Sequence, residues 1–201
     1  MQSLTVYCAS STALDPHFSI SARQLGEGLA REGISLVYGG GSTGLMGEVA
    51  TATKDAGGKV VGIITEYLKD REVAFPRCDE LVVVKTMRER KMRMAERGDG
   101  FMVLPGGLGT YEEFFEVLVG RVLDEHRKPI GIVNDHGYFD PLLAMIEHGI
   151  NEKFIRPAVR KLMAIDTDSI RVLEQLMAFE PVELDAGELI PPLSGNGDSQ
   201  H

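Results

Sequence analysis

Phe101-Met102-Val103-Leu104-Pro105-Gly106-Gly107-Leu108-Gly109-Thr110-Tyr111-Glu112-Glu113 reads as three pieces in succession. The unbroken apolar run over 101–104 has the length and composition of a strand buried on both faces. Pro105-Gly106-Gly107 is turn chemistry. Beyond it, Phe114, Val117 and Leu118 recur at helical spacing and predict an amphipathic helix over 110–125. Strand, glycine turn and helix make the unit from which parallel sheets are built. The turn admits two readings. Backbone N–H groups of a glycine-rich loop at a helix N-terminus suit an anion, with the Thr110 hydroxyl as a ligand and Glu113 one turn inside. Alternatively, Thr110 and Glu113 at i, i+3 form a capping box.

The same unit recurs on both sides. Upstream, an apolar strand over 4–8 ends in Ala9-Ser10-Ser11, and a helix starting at Asp15-Pro16 carries Phe18, Ala22, Leu25 and Leu29 on one stripe up to Gly33. A strand over 34–38 leads into Gly39-Gly40-Gly41-Ser42-Thr43-Gly44-Leu45-Met46-Gly47 and a small-residue helix closed by Gly57-Gly58. A strand over 59–64 follows. The stretch 65–79, with mixed charge, Pro76 and little periodicity, reads as mainly loop. A strand over 81–84 and a basic helix over 87–97 come next. Downstream lie a strand over 129–133, the turn Asn134-Asp135-His136-Gly137, helical pieces over 138–149 and 151–161, a strand over 162–165 and a helix over 168–179.

Strand and helix thus alternate throughout, and the strands are near-continuously apolar. This predicts a Rossmann-like, doubly wound α/β fold: a parallel sheet with helices on both faces. With no internal repeat or linker, one domain over 1–190 is expected, followed by a Gly/Ser/Asn/Asp-rich tail over 191–201 expected to be disordered. In such sheets ligands bind outside the carboxyl ends of the strands, where Ser10-Ser11, the glycine turn after Tyr38, Thr86 and the Pro-Gly-Gly turn all fall.

Composition narrows the function. The chain has 201 residues, is 43% hydrophobic and 25% charged, and carries a net charge of −9. That balance argues against nucleic-acid and membrane-surface binding, and leaves room for a small phosphorylated molecule held by a few local cations. The two cysteines, Cys8 and Cys78, have no zinc or disulfide spacing. The N-terminus lacks the positive region of a signal peptide, and no apolar run reaches roughly 18 residues. A cytoplasmic setting is expected.

Gly39, Gly41 and Gly44 satisfy a dinucleotide-type GxGxxG, with Glu66 as the acid further on, which keeps an NAD-linked oxidoreductase among the alternatives. A tight turn with close helix–strand packing explains the same glycines. Met87-Arg88-Glu89-Arg90-Lys91-Met92-Arg93-Met94 places Met87, Arg90, Lys91 and Met94 on one helical face, a partly covered face carrying two cations suited to phosphate or carboxylate. His17, His126, His136, His148 and His201 show no ligand spacing, and no nucleophile elbow surrounds Ser10 or Ser11.

GGGSTGLMG (39–47), MRERK (87–91) and PGGLGTYEE (105–113) together resemble the signature of the LOG (Lonely Guy) family of cytokinin riboside 5′-monophosphate phosphoribohydrolases, once mislabelled as lysine decarboxylases. The similarity runs from about residue 4 to about residue 179. The resemblance implies a homodimer that hydrolyses the N-glycosidic bond of a nucleoside 5′-monophosphate to free base and ribose 5-phosphate, using no cofactor and no metal. It puts the catalytic pair on Arg90 and Glu113. The implied substrate contacts are Glu72, Arg90, Lys91, Gly106, Gly107, Leu108, Gly109, Thr110, Tyr111 and Glu112, to which the other two turns add Gly40, Gly41 and Ser10. Two segments depart from the family's pattern. Arg88 stands where a Met-His or similar pair usually has its second residue, and Val119-Gly120-Arg121-Val122 replaces Thr-Trp-Ala-Gln. The missing Thr contacts substrate in many members, so AMP or another monophosphate is as open as a cytokinin nucleotide. A non-catalytic nucleotide sensor or carrier is the other reading.

Overall fold

The computed structural model describes residues 1–69, 71 and 73–181; Glu72 and the tail expected over 191–201 lie outside the described residues. Seven strands, β1 (Ser3–Tyr7), β2 (Ser35–Tyr38), β3 (Val60–Thr65), β4 (Glu80–Val84), β5 (Phe101–Val103), β6 (Ile130–Val133) and β7 (Met163–Asp166), form one sheet in the order β4-β3-β2-β1-β5-β6-β7. Every neighbouring pair is parallel, with Leu4 beside Leu36 and Val6 beside Met102 in the central register. The helices are α1 (His17–Arg31), α2 (Gly44–Asp55), α3 (Glu66–Lys69), α4 (Met87–Arg97), α5 (Leu108–Val122), α6 (Asp140–Asn151) and α7 (Ser169–Met177). The expected doubly wound α/β sheet is therefore present.

Period-two alternation explains why both faces are covered. Leu4, Val6, Leu36, Tyr38, Val60, Met102 and Leu104 point to one side and pack with Ala22, Leu25, Leu29, Val49 and Leu173 of α1, α2 and α7. Tyr7, Val37, Ile63, Phe101, Val103, Ile130 and Ile132 point to the other and pack with Met94, Phe114, Val117 and Ile146 of α4, α5 and α6. Chain order reverses between β1 and β5, which makes the crevice at their carboxyl ends the topological switch point, the standard ligand position in this architecture.

Three expectations shift. Within 65–79 the short helix α3 forms at Glu66–Lys69, and Gly41 bridges Ala74 in antiparallel fashion, so part of that stretch is ordered against the glycine turn. Helix α6 begins at Asp140, because Asp135–Gly137 is a 3-10 turn with His136 at φ +50°. Helix α5 begins at Leu108, two residues before Thr110, with Gly107 as N-cap and no side-chain capping bond. The capping-box reading of Thr110 and Glu113 is thereby corrected: Thr110 is already inside the helix, and the Glu113 carboxylate faces Arg90.

Candidate active site

The carboxyl end of β1 is tied to the turn after β5 by two backbone bonds, Leu104 N–H to the Tyr7 carbonyl (2.9 Å) and Ala9 N–H to the Pro105 carbonyl (3.1 Å). The glycine turn after β2 joins them through Met46 N–H, which donates to the Ala9 carbonyl. Gly44, at φ +58°, lies so close to the backbone of Ser10 and Ser11 that no side chain fits there. Helix–strand packing thus accounts for the third glycine of the GxGxxG pattern. The three turns enclose a cavity of about 220 Å³ walled by Tyr7, Ala9, Ser10, Gly39, Met46, Arg90, Met94, Gly107, Leu108, Gly109, Thr110 and Glu113 among others.

Arg90 reaches this cavity from the first turn of α4. Thr86 caps that helix by accepting the Glu89 N–H (3.1 Å), which fixes the phase that points Arg90 inward. Arg90 is 6% exposed, and its guanidinium is held by backbone carbonyls of β3 and of the turn after β2: Nε donates to Ile63 (3.0 Å) and Nη2 to Gly39 (3.2 Å). A Cβ on Gly39 would overlap Arg90 Nη2, so the close approach requires glycine. Nη1 lies 3.5 Å from Glu113 Oε1, and Glu113 is itself 9% exposed on α5. A buried cation with fixed carbonyl partners thus stands beside a buried carboxylate.

Tyr7 shares the wall. Burial pushes its phenol well above the usual value, with Glu113 and Glu116 adding to the rise, so it remains a neutral hydrogen-bond donor. Thr110 is buried on the same wall, and Leu108 stands almost fully exposed at its rim.

Of the sequence-predicted site residues, the structure brings together Arg90, Glu113, Ser10, Gly107, Leu108, Gly109 and Thr110. Gly40, Gly41, Gly106 and Tyr111 stand behind or beside the wall. Lys91 turns to α5, where Glu112 (2.8 Å) and Glu116 (2.6 Å) hold its ammonium above the ordinary lysine value. Glu112 is therefore engaged with Lys91. Tyr7 was missed by sequence reasoning, its one signal being its place at the carboxyl end of β1; Gly39 and Met46 fall within the quoted 39–47 motif but were not named as site residues. Among the described residues no three His, Cys, Asp or Glu side chains are grouped to hold a metal ion.

A glycine-turn cavity at the switch point of a doubly wound sheet, with a buried Arg–Glu pair in its wall, defines a Rossmann-like α/β protein with a small-molecule-sized site at the standard ligand position. The chain belongs to the LOG family of cytokinin riboside 5′-monophosphate phosphoribohydrolases. The family model described as "Possible lysine decarboxylase" matches residues 46–176. A cytokinin riboside 5′-monophosphate phosphoribohydrolase of Arabidopsis thaliana is 40% identical over 178 residues, 89% of this chain and 82% of that protein. One of Rhodococcoides fascians is 45% identical over 168 residues, 83% and 85% of the two chains. Among solved structures, the molybdenum cofactor carrier protein of Chlamydomonas reinhardtii superposes with a TM-score of 0.67 at 20% identity, covering 88% of this chain and 98% of that one. That likeness concerns the fold.

Proposed function

We propose that this protein hydrolyses the N-glycosidic bond of a nucleoside 5′-monophosphate, a cytokinin nucleotide or AMP, to free base and ribose 5-phosphate, and that one domain over 1–190 carries the activity. The observation that carries this reading is the buried Arg90–Glu113 pair facing the glycine turn at the switch point. Breaking a glycosidic bond develops oxocarbenium charge on the ribose. Glu113, beside Arg90, stabilises that charge and activates the attacking water. The N–H groups at the start of α5 and the Thr110 hydroxyl hold the 5′-phosphate and so position the anomeric carbon against Glu113. Arg90 has guanidinium N–H groups left over from its carbonyl contacts for ribose or phosphate. The cavity, at about 220 Å³, falls below the ~300 Å³ lower end for sites that enclose a whole ligand of drug size. It suits ribose and phosphate, with the base extending past Leu108. Glu72, Lys91, Gly106, Tyr111 and Glu112 complete the substrate-contacting set on the family's pattern, the turn after β2 adds Gly40 and Gly41, and neither cofactor nor metal takes part.

The protein acts as a homodimer. Support comes from an apolar groove lined by Phe115, Val119, Val122, Phe154 and Ile155 between α5 and the segment after α6, with Phe154, Val119 and Leu123 exposed around it. Val119 stands where the family has its substrate-contacting Thr, so this face is continuous with the part of α5 that family members use. Cys8 and Cys78, which form no disulfide, fit a reducing cytoplasm, and the net charge of −9 fits a small-molecule substrate better than nucleic acid or a membrane surface.

The test is base release from AMP and from isopentenyladenosine 5′-monophosphate, followed chromatographically with ribose 5-phosphate as co-product. No release from any nucleoside 5′-monophosphate sinks the reading.

A further inference from the structure

The turn after β6 is built more firmly than a surface connection requires. Asp135 is buried and accepts the Ser21 hydroxyl of α1 at 2.7 Å, and its other oxygen lies 2.5 Å from His136 Nδ1. Asn134 accepts the Phe139 N–H (2.7 Å) and donates to Asp140 (2.7 Å). This frame presents Tyr138, whose ring meets Phe18 and Phe139 edge-on. The Tyr138 hydroxyl donates to the Gly106 carbonyl at 2.6 Å and accepts from the Tyr111 hydroxyl at 3.3 Å.

We propose that Tyr138 is a positioning residue that locks the Gly106–Gly107 peptide so that the Gly107 N–H faces the phosphate. The inference rests on the hydrolase reading above. Among the described residues all peptides are trans. In a planar trans peptide the carbonyl of Gly106 and the N–H of Gly107 point in opposite directions. Pinning the carbonyl on Tyr138 sends the N–H away from it, and Gly107, unlike Tyr138, is on the cavity wall. As N-cap of α5, Gly107 has an N–H without an intrahelical acceptor, available for an anion. A glycine pair rotates its shared peptide with little steric resistance, so something outside the loop has to choose its direction. The preceding peptide is fixed by Ala9 N–H on the Pro105 carbonyl, which leaves Gly106–Gly107 as the peptide Tyr138 must hold. Burial and the neighbouring Tyr111 push the Tyr138 phenol up to about 12, so it donates throughout the working pH range.

Tyr138→Phe keeps the ring contacts and removes the donor. The expected result is a KM for the nucleoside 5′-monophosphate and a dissociation constant for ribose 5-phosphate each raised about tenfold, the scale of one lost hydrogen bond, with kcat within about twofold of the parent. In ¹⁵N-labelled protein the Gly107 amide resonance should shift or broaden while distant amides and the melting temperature stay put. An unchanged Gly107 resonance with unchanged ribose 5-phosphate affinity overturns the lock, as does a fall in kcat at constant KM. If the parent releases no base but the Gly107 resonance still responds to the substitution, the lock stands and the hydrolase reading fails.

Discussion

Replacing Glu113 separates its pairing with a buried cation from its proposed action on the ribose. Glu113→Gln keeps the volume and one carbonyl acceptor near Arg90 Nη1, now 3.5 Å from a carboxylate oxygen; Glu113→Ala removes both. Losing one partner of a buried ion pair costs about 3–5 kcal/mol when the other charge is left uncompensated. Arg90 is not left so, because the Ile63 and Gly39 carbonyls remain. The expected loss is therefore nearer one charged hydrogen bond, about 1.5–3 kcal/mol for Ala and about 1 kcal/mol for Gln. At about 2–4 °C per kcal/mol for a chain of this size, melting should fall by roughly 3–12 °C in Ala and about 3 °C in Gln. Catalysis should not follow that order. Without the carboxylate both variants lose the group that stabilises the oxocarbenium and takes the water proton, a factor of about 10²–10⁴ in kcat. Base release from AMP and isopentenyladenosine 5′-monophosphate at saturation, alongside thermal unfolding by circular dichroism, measures both. Glu113→Gln retaining more than about a tenth of parental kcat, or activity that simply tracks melting temperature across the two variants, refutes the reasoning.

Gly39→Ala puts a methyl group where Arg90 Nη2 sits; kcat should fall more than tenfold with folding retained, and near-parental kcat would show that the guanidinium's place is not critical. Val119→Glu combined with Leu123→Glu charges the exposed apolar face of α5 and should yield monomers by light scattering; an undisturbed dimer moves the interface elsewhere. The Arg171 side chain and the Asp168 N–H hold the Asp166 carboxyl down at about 2, so its contribution to stability is complete above the unfolded carboxylate value near 4 and is lost as pH falls towards 2. Asp166→Asn should flatten the dependence of the urea midpoint on pH in that window, and identical slopes would contradict the assignment.

The fold was legible because its information is local. The alternation Leu4-Thr5-Val6-Tyr7 feeds two helix layers, and the glycine turns mark where strands give way to helices. Arg90 and Glu113 were legible as residues, and their pairing was not. They come together only because Gly39, after β2, and Ile63, in β3, offer carbonyls to a guanidinium arriving from α4. Lys91 shows the same limit from the other side: one residue further round the helix, the same kind of cation meets Glu112 and Glu116 on α5. Tyr138 had no sequence signal, since a tyrosine one place after a turn is unremarkable until its hydroxyl is found on Gly106.

The departures at 119–122 are best understood by what each side chain touches. Gly120 is buried against His126, and the Arg121 guanidinium, also buried, lies 3.5 Å from the His126 carbonyl and 4.0 Å from Asp124. Gly120 and Arg121 thus secure the turn that leads into β6, while Val119 and Val122 face the apolar groove. Glu113 lies more than one helical turn away on α5, paired with Arg90 on the cavity wall, and none of these four residues lines that wall. Changing them leaves that wall in place and alters the groove at Val119 and Val122, where the family's pattern has its substrate-contacting Thr. Base choice is accordingly the property in which this chain is expected to differ from its relatives. Val119→Thr, which restores the family's hydroxyl, should change the ratio of kcat/KM for isopentenyladenosine 5′-monophosphate and AMP without changing kcat for either by more than about twofold. Equal ratios in parent and variant would remove this stretch from substrate selection.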